Sequence, residues 1–440
     1  MAGTLARITT LLVAVGVLLI GHGLQLTLLP LHALEAGWST SAIAWTGSFY
    51  FIGFMTGCVV LPGTISAVGH IRSFMVMAAI ATVALLTAAL FVELIGWLIV
   101  RFASGVALAG LYMVIESWLT EVSPREQRGR VLSIYLLVTL TGMAIGQLLV
   151  AAKDPGELDL FIVAAIMISI AIVPVGLTRI ASPSPIPPVR FTPRTLLRAS
   201  RVAVVCAVLA GMVVGAFWTL GPVVARGYGL GSENIAILMS LGVVGGAVAQ
   251  LPVGRFSDST DRRLVIGALG LIGAAVCALA FLFVDSSPAA LYLSFFLLGA
   301  AVMPMYALCI AHAVDRPELT LVEVASGILL AHSAGSIVGP IIVAPLVAPF
   351  GPGVFFFFAA VCLLGTAGWT AWRYLAVERP PHEERAAMLP RTTQAIAELA
   401  AGEGEPAAGE GELAADDERA AGDGTATPAI DDGAATDTQR

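Results

Sequence analysis

Charged and hydrogen-bonding side chains inside long apolar runs are where this sequence has chemistry to offer. Arg101 sits within LIGWLIVRFASGVALAG, and Glu116 follows fifteen residues later in LYMVIESWL. Ionisable groups are costly in an apolar span, so each is a functional candidate by default. Arg101 has two readings: its stem lies along apolar surface while its head reaches the headgroups, or its charge serves a transport path. Glu116 either carries protons or pairs with Arg128, Arg130 or a loop arginine as a structural ion pair. At 1.5 Å per residue the two lie about 22 Å apart along one helix, so they cannot pair with each other. His22 and Gln25 share one apolar run, Tyr306, Cys309 and His312 another, and His332 sits in a third. Histidine can exchange a proton near neutral pH, although each of these also fits a satisfied structural residue. Tyr112, Trp218 and Thr219 are ligand contacts or packing residues, and Gln147 and Gln250 bond across halves or glue helices together.

Other chemistry is excluded by what the chain lacks. It has no HExxH, no P-loop, no GxGxxG after a strand and no nucleophile elbow. ATP-driven transport by this chain alone and the common hydrolases drop out, and no enzyme activity, cofactor or metal is expected. The five cysteines each stand in an apolar run with no CxxC pair, so they are small hydrophobes and not a disulfide framework or zinc site.

The elements that must position these residues are membrane helices. Hydrophobic residues make up 58% of 440 and charged residues only 12%, about half the charge of an ordinary soluble domain. A soluble enzyme, a secreted scaffold and a nucleic-acid binder all fit poorly. A bilayer core needs roughly 20 apolar residues per helix. Twelve candidate spans follow: about 8–30, 42–62, 73–92, 95–119, 131–151, 158–178, 202–223, 233–253, 264–284, 288–312, 324–346 and 352–374. With a cytoplasmic N-terminus, fifteen arginines fall in inside segments, against Lys153 and Arg226 outside. That bias predicts both termini inside. Residues 179–200, rich in Pro, Ser and Arg, read as a cytoplasmic linker between a six-helix half at 1–178 and another at 201–377. Residues 378–440 carry 5 basic against 15 acidic residues and too little apolar surface to fold, so a disordered acidic cytoplasmic tail is expected.

The halves repeat. At an offset of 192–193, Pro30 matches Pro222, Gly37 matches Gly229, Ile43 matches Ile235, Gly53 matches Gly245, and Gly142 and Gly146 match Gly335 and Gly339. Each half has an even number of spans, so the halves share one orientation and are related about the membrane normal. Glycines four apart recur at 53/57, 142/146, 211/215, 242/246 and 335/339. They mark tight helix packing or smooth faces on which the halves slide.

The segment Gly254-Arg255-Phe256-Ser257-Asp258-Ser259-Thr260-Asp261-Arg262-Arg263 resembles the cytoplasmic loop motif of the major facilitator superfamily. Its first-half counterpart has Ser66 in place of the acid but keeps Gly69 and Arg72. Arg101-Phe102-Ala103-Ser104-Gly105, Val114-Ile115-Glu116-Ser117-Trp118-Leu119, Arg128-Gly129-Arg130-Val131-Leu132-Ser133-Ile134-Tyr135 and Gly146-Gln147-Leu148-Leu149-Val150 look like its YcaD-like branch. The resemblance covers roughly residues 8–375. It implies an all-α membrane protein of twelve helices in two pseudo-symmetric six-helix bundles, with spans 1, 4, 7 and 10 around a central cavity. It also implies a secondary transporter of a small molecule in the bacterial inner membrane, working by alternating access. Proton coupling follows from the intramembrane ionisable groups, with Arg101 implied in it. Gly254, Asp258, Arg262 and Arg263 would form a conformational latch. The expected partners are a small-molecule substrate, membrane lipid and protons, with no nucleic acid and a monomeric state. The alternative is a transporter-fold receptor or scaffold that signals without net transport.

Overall fold

The computed structural model describes residues 2–123, 127–177, 200–284, 287–315 and 321–376. The acidic tail and all of the expected linker except Ser200 lie outside them. Twelve helices among the described residues have the length and apolarity to cross a membrane. They are α1 (Ile8–Glu35), α2 (Thr40–Val68), α3 (His70–Leu90), α4 (Leu94–Val122), α5 (Arg130–Ala152), α6 (Asp159–Gly176), α7 (Arg201–Gly227), α8 (Ser232–Ser259), α9 (Arg262–Phe283), α10 (Pro288–Val314), α11 (Glu323–Phe350) and α12 (Val354–Ala376).

Local chemistry sets the ends and breaks. Ser39 caps α2 by accepting from the Ala42 N–H at 3.2 Å, and Ser200 caps α7 through the Ala203 N–H at 3.2 Å, the usual use of a hydroxyl before a helix. The α1–α2 and α7–α8 turns pass through Gly37 at φ +79° and Gly229 at φ +82°. Both need the left-handed region, which glycine enters without strain, so one turn serves both halves. α10 breaks at Met303–Pro304 into Pro288–Val302 and Met305–Val314, because proline has no N–H to continue the ladder. The expected loop over 254–263 is instead almost wholly helical. α8 runs on to Ser259, and only Thr260 and Asp261 separate it from α9.

Within the first half α1 packs on α5, α2 on α4, and α3 on α4 and α6; within the second, α7 packs on α11, α8 on α10 and α9 on α12. The repeated glycines explain how closely. A Cβ at Gly53 would run into the Phe102 carbonyl oxygen, and one at Gly245 into that of Phe296. Likewise Gly146 abuts the Ile20 carbonyl and Gly339 that of Met212. Gly211 and Gly215 face the His332 and Ser336 backbone, while Gly242 and Gly246 meet Phe217 and Met303. Every one of these contacts is inside a bundle. The sliding-face reading of the glycine pairs is therefore corrected: they fix helices within a half, where an added side chain would meet a neighbouring backbone or a packed side chain.

The halves meet through α2 with α11 and α5 with α8. Ser48 Oγ donates to the Ile337 carbonyl at 2.7 Å, and Ser240 Oγ donates to the Ala144 carbonyl at 3.1 Å. The serines are 192 apart and their acceptors 193 apart, so one hydrogen bond is made twice, reciprocally. Gly47 touches Thr219 directly, and Arg226 pairs with Glu35 at 2.9 Å. All four contacts lie toward the end of the molecule that carries Glu35.

Candidate functional site

One turn of α1 brings His22 and Gln25 to the same face, and one turn of α2 does so for Thr46 and Tyr50. Gln25 Nε2 donates to His22 Nδ1 at 3.0 Å, and both side chains are buried. The His22 ring lies 6.2 Å from Tyr50 and 6.4 Å from Tyr112 of α4, centroid to centroid. Arg101 enters this group from α4. Its guanidinium carbon stands 4.5 Å from the Tyr50 centroid, a cation–π contact, and Nε donates to the Thr46 carbonyl at 3.4 Å. The residue is 7% exposed. The snorkelling reading is thus corrected: an aromatic face and a carbonyl inside the bundle draw the head inward. Arg101 Nη1 has no hydrogen-bond partner, and among the described residues no carboxylate forms an ion pair with Arg101. Beside it lies a void of about 10 Å³ lined by Pro30, Thr46, Tyr50, Phe51, Trp218 and Thr219.

An acid–hydroxyl pair continues the line. Tyr112 and Glu116 are one turn apart on α4, and Tyr135 of α5 donates to Glu116 Oε1 at 3.2 Å. Glu116 is 1% exposed and Tyr135 fully buried. The side chain of Arg128, one expected partner of Glu116, lies outside the described set. Arg101, Tyr50, His22, Tyr112, Glu116 and Tyr135 therefore succeed one another through the interior of the first half.

The other candidates stand elsewhere. Tyr306 and His332 face each other at 5.2 Å across α10 and α11, beside the buried Cys206 and Cys309. His332 also bonds to the Ala207 backbone. His312 belongs to neither group; it lies near Asp261 at the opposite end from Glu35. There Arg262, 1% exposed at its side chain, sits 3.7 Å from Asp258 and 3.4 Å from Asp315. Arg263 grips Asp261 at 2.9 Å and donates to the Arg373 carbonyl at 3.2 Å. Burial raises the Asp261 carboxyl, but hydrogen bonds and charge from Arg263 outweigh it and hold the group below its usual value. Asp261, not Asp258, caps the N-terminus of α9, through the Arg263 N–H at 2.9 Å. Gly254 is buried in α8. Gln147 is buried, and neither amide atom has a hydrogen-bond partner, so it is not the expected glue.

Tyr50, Tyr135, Glu35 and the two bridging serines did not stand out in the sequence. Thr46, Ser48 and Tyr50 carry the one available signal, three hydroxyl side chains close together near the start of a largely apolar run.

The family model described as Major Facilitator Superfamily matches residues 11–231 and 203–404. The chain is 29% identical over 361 residues to a protein of Salmonella arizonae described as the uncharacterized MFS-type transporter YcaD, covering 78% of this chain and 91% of that one. In fold it is similar to the nucleoside transporter NupG, with a TM-score of 0.68 at 14% identity over 83% of this chain and 99% of that one. It is also similar to a D-xylose–proton symporter, with a TM-score of 0.63 at 17% identity over 86% and 99%.

Proposed function

The chain belongs to the major facilitator superfamily, and on that premise we propose that it is a proton-coupled secondary transporter working by alternating access. Membership makes it a multi-pass membrane transporter of a small molecule and not an enzyme. The observation that carries the finer reading is the interior line from buried Arg101 to buried Glu116. In this reading Arg101 sets the charge at one end, and Glu116 takes up and gives off the coupling proton at the other. His22, oriented by Gln25, and Tyr112 lie between them. Trp218 meets the substrate from the second bundle, and Tyr306 with His332 lines the path there. A membrane-embedded monomer suffices for this scheme.

The arginine bias places the Glu35 end outside, so bundles joined at that end correspond to a state facing the cytoplasm. Reporter fusions after Arg194 and Arg385 are expected to give cytoplasmic signals, and one after Lys153 a periplasmic signal. A periplasmic Arg194 fusion reverses the orientation.

Asp258, with Arg262, is proposed as part of a latch, and Arg262 already joins α8, α9 and α10 through its two carboxylates. Asp258→Asn is expected to leave the protein in the membrane but change the accessibility of cysteines introduced between the bundles at the two ends; unchanged accessibility at both ends removes the latch.

A thermal-shift screen of purified protein against metabolites and drugs supplies a ligand. Accumulation of that labelled ligand in proteoliposomes under an imposed pH gradient supports the transporter reading. Binding with no flux makes the chain a receptor on a transporter fold.

A further inference from the structure

We infer that Arg101 is an anion-binding residue and that the transported molecule is an amphipathic organic monoanion whose carboxylate seats against it. The inference rests on the transporter reading and adds a substrate class to it. A guanidinium this buried normally meets a carboxylate, because an unneutralised interior charge is strongly unfavourable. Here it meets the face of Tyr50 and one backbone carbonyl, which leaves the positive charge uncancelled. Its Nη1 still has a proton to donate, and the void beside it is lined by no other charged residue. One cation with an unpaired donor matches one anionic head. A dianion would leave a net charge buried, and a cation would be repelled.

The rest of the lining fixes the body of the ligand. Leu26, Leu29, Pro30, Phe51 and Trp218 share the lining of the same void with the hydroxyl-bearing Thr46, Tyr50 and Thr219, so the group behind the carboxylate is a largely apolar body with room for an occasional hydrogen-bonding atom. At about 10 Å³ the space holds no more than a water-sized group. Trp218 and Thr219 come from the second bundle, and Thr219 bears directly on Gly47 of the first. The site therefore widens only when the bundles part there. A carboxylate moving with one proton carries no net charge across the membrane, which suits a path with one cation and one buried acid.

The test is equilibrium binding to the purified full-length protein, read by thermal shift. Benzoate and phenylacetate are the probes, benzamide is the neutral isostere, benzylamine the cation, and sodium chloride the inorganic anion at matched concentration. Both carboxylates are expected to raise the melting temperature, and the three controls are not. In Arg101→Gln the carboxylate affinity is expected to fall roughly 10- to 100-fold, the loss of a charged hydrogen-bond donor. Arg101→Lys keeps the charge, so it retains the preference for benzoate over benzamide with weaker binding, and it answers the question if the Gln variant does not fold. The proposal is overturned if neither carboxylate stabilises the wild type, if benzamide or chloride does so equally, or if Arg101→Gln binds as well as wild type. Carboxylate binding with no flux of any solute would keep the site and remove the transporter. Flux of a neutral or cationic solute that Arg101→Gln leaves intact would do the reverse.

Discussion

Arg101→Ala is expected to abolish concentrative transport, whereas Glu116→Gln is expected to retain downhill exchange and lose only its response to a pH gradient. The asymmetry follows from the geometry. The two residues are about 22 Å apart along α4, so neither substitution removes the other's partner. Truncating Arg101 strips the charge from the Tyr50 face and from the void shared with Trp218, so the step that senses substrate is lost. At Glu116 an amide oxygen can still accept from the Tyr135 hydroxyl, so the local structure survives. A permanently neutral amide cannot cycle protons. The measurement is uptake of the identified substrate into proteoliposomes with and without an imposed gradient. Gradient-driven accumulation by Glu116→Gln would take that residue off the proton path and leave it a structural partner of Tyr135.

Gly146→Val and Gly339→Val are expected to be among the most damaging substitutions for the fold, and to be so by similar amounts. Each added side chain would meet a backbone carbonyl, Ile20 in one bundle and Met212 in the other. A carbonyl in a helix cannot swing aside as a side chain can, so the helices themselves must separate. Overpacking of a core costs about 1–3 kcal/mol and occasionally more, and here the strain spreads along the α1–α5 or α7–α11 contact. Gly368→Ala is the control. It sits in α12 with nothing within 4 Å of an added Cβ, and replacing an interior helical glycine there is expected to be neutral or stabilising by up to about 1 kcal/mol. Melting temperatures in detergent decide the matter: if the two valine variants melt with wild type, the close approach does not hold the bundles together.

Hydropathy made the spans legible because a bilayer imposes a length that a sequence cannot hide. The repeat was legible because glycine is the one residue whose absence of a side chain survives as a pattern, as at 53/245 and 146/339. What a glycine faces is another matter. Nothing in the text of Gly211 and Gly215 says that their neighbour is the backbone of the same bundle, so packing and sliding read alike there. Arg101 is legible from its charge, and its direction is not, because the partner that draws it inward is an uncharged tyrosine two helices earlier. Trp218 shares the void with that arginine, and His22, with Gln25 and Tyr112 beside it, reaches it through Tyr50. His312 and His332 share their residue type with His22 but stand on other helices, since a histidine's position in sequence carries no record of which bundle face it meets. The charged motif at 254–263 is recognisable from its residues, but its helical state is not. A run of Asp, Ser and Arg at the end of a span is equally compatible with the last turns of a helix.

The reciprocal serine bridges bear on timing. Two neutral hydrogen bonds of about 1 kcal/mol each shift an equilibrium by roughly 30-fold. The Glu35–Arg226 pair, about one-third exposed on each side, adds up to about 1 kcal/mol. Fasteners of this strength are renewed and broken by thermal motion. They give the joined state a dwell and not a permanent hold, and the mirrored placement of Ser48 and Ser240 makes both sides of the seam let go at comparable rates. In the proposed alternating-access cycle the parting of the halves is then paced by several small releases, with no single strong bond among these contacts whose rupture would set the clock.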